Sequence, residues 1–165
     1  MLKVGIKELT LENFQNYGAF VNLLKPKTFH FGEPPIQFFR DMLQLTLDQA
    51  APASFSVNTV QKREPVVVKS EYHSRTGEGI LPLDGDILIH CAPATRPGIF
   101  PKDQIEIFHV PRLTLVALKP GVWHHAPFAY NCDSVHILIV LPERTYANDC
   151  TVLELKEDER IQIAL

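Results

Sequence analysis

Short apolar runs, separated by turn-forming residues, dominate the chain after residue 50. The runs are rich in apolar or β-branched residues and lie at 55–60, 66–73, 79–83, 87–91, 105–110, 114–118, 135–141 and 151–155. Glycine, proline, asparagine or aspartate stands between most of them, as in Asp84-Gly85-Asp86 and Pro120-Gly121. Regularly spaced short strands of this kind are typical of a sandwich or barrel. The pattern therefore predicts an all-β fold.

The first fifty residues carry a weaker pattern. Thr10 is a good helix N-cap, Asn13 stands at the capping-box position, and Gly18 can end a helix. These residues predict a short N-terminal helical element. The prolines and the glycine within residues 25–35 predict an irregular loop. Residues 34–49 fit both a helical and an alternating apolar pattern, so their conformation stays open.

Length and composition narrow the class of protein. The 165 residues, 45% of them hydrophobic, fit one domain over residues 1–165 with a core barrel at about 55–155. The formal net charge of −3, without a run of Lys or Arg, speaks against a nucleic-acid partner. There is neither a signal-peptide core nor an apolar stretch of about 20 residues that could span a membrane. The three cysteines form no CxxC pair and suit buried positions in a reducing cytosol, so we expect a cytoplasmic protein.

Ionisable residues interrupt the apolar pattern at two places far apart in the sequence. In the run 66–73, strand alternation places four residues on one face: Val67, Lys69, Glu71 and His73. Glu78 follows a tight turn that can fold it back beside His73. Exposed on an outer face, these groups would form an ordinary solvated edge. Inside a barrel they would need partners, because unpaired buried charge is costly.

The second place is the sequence that follows the Pro120-Gly121 turn, where Trp123 precedes the adjacent His124 and His125. Consecutive strand side chains point to opposite faces, so only one of the two histidines can face a given interior. Two imidazoles and two carboxylates from separate strands can form a metal or acid/base cluster.

Two spaced motifs resemble those of the cupin superfamily: His73-x4-Glu78-x6-Gly85 and Pro120-Gly121-x-x-His124. The resemblance implies a double-stranded β-helix (jelly-roll) barrel in which His73, Glu78 and His124 hold one metal ion. Glu71 stands where the first motif usually has another histidine, so it is a candidate further ligand. Imidazole plus carboxylate suits a divalent Zn, Mn, Fe or Ni ion, and the residues do not choose among them.

A closer resemblance covers most of the chain. It is carried by Thr10-x-Glu12-x-Phe14-x-x-Tyr17-Gly18, Phe55-Ser56-Val57-Asn58, Glu71-x-His73 and Val122-Trp123-His124-His125-Ala126-Pro127-Phe128-Ala129. These segments look like ureidoglycolate lyase, a family of small, cytosolic, dimeric cupins. That family cleaves ureidoglycolate to glyoxylate and urea in purine and allantoin breakdown. The resemblance implies a carbon–nitrogen lyase and a homodimer. The family usually carries Gln in place of Glu78 and Arg in place of Thr59.

The chemistry implied by this resemblance suggests roles for individual residues. Loss of urea from a hemiaminal requires one proton to leave the carbinol hydroxyl and one to reach the departing nitrogen. A metal ion at His73, Glu78 and His124 would lower the pKa of that hydroxyl. Glu71 is the candidate base or fourth ligand, and Lys69 is a candidate anion anchor or base. Five further residues are candidates for substrate contacts: Asn58, Arg75, Trp123, His125 and His136.

Competing interpretations remain for several positions and for the function. Trp123 could instead pack in the core or at an interface, and His125 could form a subunit contact. Arg75 could be an ordinary solvated loop residue. A metal-dependent cupin enzyme with different chemistry on a small hydroxy or oxo acid is the first alternative function, and Glu78 favours it. A non-catalytic small-molecule-binding cupin is the second, and the altered substrate positions, His136 among them, permit it.

Overall fold

The computed structural model describes residues 1–49 and 51–165. Within these ranges most of the regular structure is strand. One sheet contains β1 (Leu2–Glu8), β6 (Val66–Val67), β9 (Asp86–Cys91), β10 (Glu106–Val110), β12 (Phe128–Tyr130) and β15 (Ile161–Ala164). A second contains β2 (Gly18–Asn22), β5 (Ala53–Gln61), β8 (Glu78–Pro82), β11 (Thr114–Leu118) and β13 (Ser134–Pro142). Two strand pairs stand apart: β3 (His30–Phe31) with β4 (Phe38–Phe39), and β7 (Lys69–Tyr72) with β14 (Thr151–Glu154).

The helical segments of the described residues are short connections. They are α1 (Leu11–Phe14), α2 (Thr145–Asn148) and the 3-10 turns Lys102–Gln104 and Glu157–Glu159. No helix in residues 1–49 or 51–165 is long and apolar enough to cross a membrane. The prediction of an all-β fold with a short N-terminal helical element is confirmed.

The chain crosses repeatedly between the two large sheets. β8, β11 and β13 lie in the five-stranded sheet. β9, β10 and β12, which alternate with them along the chain, lie in the six-stranded sheet. The neighbours are antiparallel: β8 with β11 and β13, and β9 with β10 and β12. This connectivity is that of a double-stranded β-helix, and it confirms the cupin fold.

Two hydrophobic clusters lie on opposite faces of the six-stranded sheet. Ile87 and Ile89 of β9 belong to the cluster shared with Ile80, Val116 and other residues of the five-stranded sheet. Leu88, which lies between them in sequence, belongs to the second cluster. Successive strand residues point to opposite faces, so a strand buried on both sides reads as an unbroken apolar run.

The six-stranded sheet also contains strands from both sides of the predicted core range of about 55–155. β1 pairs in parallel with both β10 and β15, and β15 lies between β1 and β6. Ile161 and Ile163 of β15 are 0% and 1% exposed. The chain ends therefore complete the six-stranded sheet.

The predicted strand 66–73 is divided at Val68, which separates β6 from β7 and is 39% exposed. Val67 and Tyr72 both contact the second cluster, although an uninterrupted strand would point them to opposite faces. The alternation had predicted that Val67 shares a face with Lys69 and Glu71. In the structure Val67 points to the other face. The break shifts the pattern by one residue.

In the N-terminal segment, Thr10 caps the short helix as predicted, but Gly18 does not end it. The Thr10 hydroxyl accepts a hydrogen bond from the Asn13 backbone N–H at 3.1 Å. Gly18 begins β2, where a Cβ atom would lie 2.0 Å from the Ala117 carbonyl oxygen. Over residues 34–49 the structure forms neither a long helix nor an alternating strand. The Thr46 carbonyl accepts from the Gly77 N–H at 2.7 Å, which fastens this irregular segment beside β8.

Candidate functional site

Four of the residues singled out in the sequence converge. Glu71 lies on β7, His73 follows that strand, Glu78 begins β8, and His124 follows the Pro120-Gly121 turn. Ligand atoms of Glu71, His73 and His124 all lie within 4.8 Å of one another. Because the two histidines and Glu78 are all less than 10% exposed, this is a buried polar cluster.

Backbone hydrogen bonds bring the two motifs together. Glu71 and His124 form an isolated antiparallel bridge, and the Gly121 N–H donates to the His73 carbonyl at 2.6 Å. Gly121 has φ +83, and a Cβ atom there would lie 2.9 Å from the Ala94 Cβ. The glycine of the second motif therefore meets a backbone and packing requirement at this turn.

Glu78 holds the two imidazole rings together. Its Oε2 atom lies 3.1 Å from Nε2 of His73 and 2.9 Å from Nε2 of His124. Burial by itself raises the pKa of Glu78, but the charges and hydrogen bonds of His124 and His73 outweigh burial and hold it well below its usual range. For His124, burial lowers the pKa, but the charge and hydrogen bond of the Glu78 carboxylate have the larger effect. The pKa of His124 is therefore raised above its usual value.

Backbone carbonyls fix the orientation of both rings. The Nδ1 atom of His73 lies 2.6 Å from the Asp149 carbonyl oxygen, and that of His124 lies 2.8 Å from the Val122 carbonyl oxygen. A carbonyl only accepts, so each Nδ1 carries a hydrogen and donates it. The Nε2 atoms of both rings point at Glu78 Oε2. A protonated Nε2 donates to this carboxylate, whereas a neutral ring offers its Nε2 lone pair to a cation.

This donor set fits a divalent cation. Two imidazole Nε2 atoms and the Glu71 carboxylate lie close enough to share one ion, and the Asp149 and Val122 carbonyl oxygens orient the two rings. The predicted ligand set also contained Glu78. Its carboxylate accepts only from Nε2 atoms that carry hydrogens, so a cation would replace those hydrogens and Glu78 would become a further ligand or a neighbouring anion.

Two adjacent residues contact the cluster but were not among the predicted site residues. The Cys150 thiol donates to Glu71 Oε2 at 3.4 Å, and burial, followed by the Glu71 charge, raises the pKa of Cys150 to about 12. The Asp149 carboxylate accepts from the backbone N–H groups of Ser74 and Arg75 at 2.9 and 2.8 Å. No local motif marks either residue, because both lie between α2 and β14, far along the chain from the two motifs.

Two of the predicted functional residues border a small cavity next to the cluster. Lys69 and His125 line it together with Arg63 and His90, neither of which the sequence analysis had singled out as a site residue. Lys69 stands two residues before Glu71 on β7, and His125 follows His124 directly. The structure thus places both beside the cluster.

The remaining predicted substrate contacts lie elsewhere. Arg75 is bound to Asp48 at 3.4 Å and to the Asn148 carbonyl at 3.3 Å. His136 bonds to Asp84 at 2.6 Å and points outward, because its neighbour Ile137 is directed into the core. Both side chains are thus engaged by other residues, and these placements lend no support to the predicted substrate-binding roles of Arg75 and His136.

Trp123 and Asn58 are likewise not brought to the cluster. Trp123 is 1% exposed, donates to the Thr95 hydroxyl at 2.9 Å and packs against Tyr72 and Phe100. It therefore serves the core, as the competing interpretation held. Asn58 is half-buried on β5, opposite Ile137. Its side chain forms no hydrogen bond within the described parts of the chain.

A much larger cavity lies away from this chemistry. Its volume is about 470 Å³, and it is lined by α1, β2 and β11 residues such as Phe14, Phe20 and Leu118. None of the cluster residues lines it. The site is thus identified by its converging polar groups and not by cavity size.

Comparison with known proteins places the chain in a family. The family model described as ureidoglycolate lyase matches residues 1–163. A search of curated proteins returned no match. Among solved structures, a dTDP sugar isomerase from Desulfovibrio desulfuricans is 13% identical, with 81% of this chain and 85% of that chain covered at a TM-score of 0.49. A dTDP-4-dehydrorhamnose 3,5-epimerase from Elizabethkingia anophelis is 7% identical, with 82% of each chain covered at a TM-score of 0.48.

An oxalate decarboxylase is 11% identical at a TM-score of 0.43, with 64% of this chain covered. The chain spans 24% of the length of that decarboxylase. The family model, in contrast, extends over nearly the whole chain and includes every residue of the cluster. This protein belongs to the ureidoglycolate lyase family.

Proposed function

We propose that this protein releases urea and glyoxylate from ureidoglycolate, as a step of allantoin breakdown. The observation that carries the proposal is the convergence of Glu71 with the His73–Glu78–His124 triad, in a chain that matches the family over residues 1–163. A hemiaminal needs a base beside its hydroxyl and a site that stabilises developing negative charge. Both are available within the cluster.

Glu71 is the residue best placed to move the proton. Its carboxylate takes the hydrogen of the carbinol hydroxyl, the carbon–nitrogen bond breaks, and the electron pair goes to the ureido nitrogen. The carbonyl of glyoxylate forms at the same carbon, and Glu71 returns the proton to the nitrogen of urea. One carboxylate therefore balances the reaction, with no net gain or loss of protons.

His73, His124 and Glu78 would hold a divalent cation, with Glu71 beside it as the base. Bound there, the cation would make the hydroxyl more acidic. The protein residues supply the rest. The carbonyls of Asp149 and Val122 keep the imidazoles in place, and Lys69 supplies positive charge for the substrate carboxylate. Arg75 does not share that task, because Asp48 binds it.

A metal-dependent enzyme acting on another small hydroxy or oxo acid is the second candidate. The observation that favours it is the Glu78 carboxylate between the two histidines, which adds an anionic group to the ligand set. A small-molecule-binding role without catalysis is the third candidate. Arg75 and His136 support it, because both are occupied by other side chains.

The deciding experiment is glyoxylate formation from fresh ureidoglycolate, corrected for spontaneous decay. The wild-type protein is expected to exceed the uncatalysed rate. His124→Ala is expected to lose about 100-fold or more of that activity, because a preorganised electrostatic contact is removed. His136→Ala is the matched control and should keep it, since His136 lies outside the cluster. Wild-type protein that only matches spontaneous decay would exclude the lyase.

We also propose that the enzyme is a cytosolic homodimer without nucleic-acid or membrane partners. The family resemblance supports the dimer, and the net charge of −3 speaks against nucleic acid. Light scattering on the purified protein should give twice the monomer mass.

A further inference from the structure

A small cavity lies beside the cluster, at the break between β6 and β7. Its volume is about 40 Å³, and its polar lining consists of Arg63, Lys69, His90 and His125. None of the described residues that line it is an aspartate or glutamate. The cavity is therefore lined by positive and neutral polar groups, next to a cluster rich in carboxylates.

The cavity and the cluster are neighbours along two chain segments. Lys69 and Glu71 alternate on one face of β7, about 7 Å apart at the strand rise. On the second segment, His125 of the cavity lining directly follows His124 of the cluster. A molecule a few bonds long can therefore reach Glu71 with one end and the cavity with the other.

Arg63 is held in place at the cavity. Its guanidinium donates to the carbonyl oxygens of Ala126 and Pro127 at 2.9 and 3.1 Å. It also lies over the Phe128 ring, 3.7 Å from the centroid. The Lys69 ammonium has no hydrogen bond or ion pair with the described residues. One fixed and one free cationic side chain thus face the same small space.

His90 supplies the observation that points to a ligand. It is 1% exposed, and its Nδ1 atom has no hydrogen-bond partner within the described residues. Its Nε2 atom lies 3.0 Å from the Ser70 hydroxyl, which in turn donates to the His124 carbonyl at 3.1 Å. A buried imidazole nitrogen without a partner is costly, so a ligand that pairs with it stabilises the site.

We propose that this cavity is the carboxylate subsite of the active site, where Arg63, Lys69 and the Nδ1–H of His90 hold the carboxylate of ureidoglycolate and of the glyoxylate product. The proposal rests on the lyase function and deepens it. It assigns the anion contacts to Arg63 and His90 in addition to Lys69, and it leaves Arg75 out.

Filling the cavity exchanges one hydrogen bond for another without moving heavy atoms. In the free protein the Ser70 hydroxyl donates to the His124 carbonyl, so His90 donates from Nε2 and its Nδ1 carries a lone pair. A carboxylate needs a donor at Nδ1. His90 then adopts the Nδ1–H tautomer, and the Ser70 hydroxyl turns to donate to Nε2. The His124 carbonyl keeps its bond from the Glu71 N–H at 2.6 Å.

The first test measures binding without turnover. Glyoxylate and formate are titrated into the holoprotein by calorimetry, with urea as the neutral comparison, for wild type, Lys69→Met and Lys3→Met. Lys3 is an exposed strand lysine and serves as the matched control. Lys69→Met is expected to bind both anions about tenfold more weakly or worse, the effect of one charge-assisted hydrogen bond. Equal affinity in Lys69→Met and wild type would overturn the subsite.

The second test reads the tautomer of His90 directly. Nitrogen-15 NMR of the ring nitrogens should show an unprotonated Nδ1 in the free protein and a protonated Nδ1 after saturation with glyoxylate. Ser70→Ala should still allow the change, because the hydroxyl follows the tautomer and does not impose it. An Nδ1 resonance that does not respond to saturating glyoxylate would rule out His90 as an anion contact.

The lyase function and the carboxylate subsite are refuted by different results. If ureidoglycolate is cleaved and Lys69→Met leaves the KM unchanged, the lyase stands and the subsite is wrong. If ureidoglycolate is not cleaved but glyoxylate binds through Lys69 and His90, the subsite stands and the lyase is wrong.

Discussion

Glu71 and His124 face each other across an isolated antiparallel bridge. The Glu71 N–H donates to the His124 carbonyl at 2.6 Å, and the His124 N–H donates to the Glu71 carbonyl at 2.8 Å. Directly opposed residues of an antiparallel pair project from the same face. This register places the proposed base beside a proposed metal ligand, and it does so through backbone groups alone.

Metal binding is the first prediction. Protein purified without chelator is expected to contain one divalent ion per chain, because two oriented Nε2 atoms and a carboxylate converge. His73→Ala should lose the ion and His136→Ala should keep it, as measured by elemental analysis. A stoichiometry near zero that persists after incubation with Zn, Mn, Fe or Ni would contradict the prediction.

The second prediction concerns the stability of the chelator-treated protein as the pH changes. Glu78 raises the pKa of His124 above its ordinary 6.5, against the opposing effect of burial, and His124 with His73 lowers that of Glu78 below its ordinary 4.5. A raised histidine pKa stabilises the fold fully below 6.5, and the stabilisation is lost as the pH rises through the raised value. A lowered carboxyl pKa stabilises it fully above 4.5, and that effect is lost as the pH falls through the lowered value.

The pair should therefore contribute most between pH 4.5 and 6.5. Urea unfolding of wild type and His124→Gln across the pH range provides the measurement. The difference in unfolding free energy between the two proteins should shrink above that window. A difference that grows steadily towards alkaline pH would show that the ion pair is not the cause.

The third prediction separates proton transfer from positioning at Glu71. Glu71→Gln should lower kcat by about 100-fold or more with little change in KM, because a general base is removed. Cys150 donates to Glu71 Oε2, and a serine hydroxyl can replace that donor. Cys150→Ser should therefore keep most of the activity, whereas Cys150→Ala should lose about fivefold, the equivalent of one hydrogen bond of about 1 kcal/mol. Equal rates for the serine and alanine variants would show that the hydrogen bond from Cys150 to Glu71 does not contribute to activity.

The fourth prediction tests the contribution of β15 to the fold. Ile161 is 0% exposed within the second cluster, so Ile161→Ala should lower the free energy of unfolding by about 2–5 kcal/mol. Ile36 is 78% exposed, and Ile36→Ala should change it by about 0.5 kcal/mol or less. Urea denaturation measures both. Similar values for the two variants would mean that the C-terminal strand adds little to the core.

Strand identity and the local part of the site could be predicted from the sequence. Side-chain alternation is a property of neighbouring residues, so the apolar runs indicated most strands of the two sheets. His73 and Glu78 are joined by one short turn, and the Pro120-Gly121 turn orients His124. Short-range geometry of this kind is encoded in spacing, and the three residues converge as predicted.

What the sequence could not provide depends on contacts between distant segments. Asp149 and Cys150 reach His73 and Glu71 across 76 and 79 residues, and only the pairing of β14 with β7 brings them there. Arg63 and His90 meet Lys69 because the strand breaks at Val68, an interruption that the apolar pattern does not reveal. Alternation alone does not tell which face of a strand is inner, so the outward direction of His136 was decided by how the two sheets pack around Ile137.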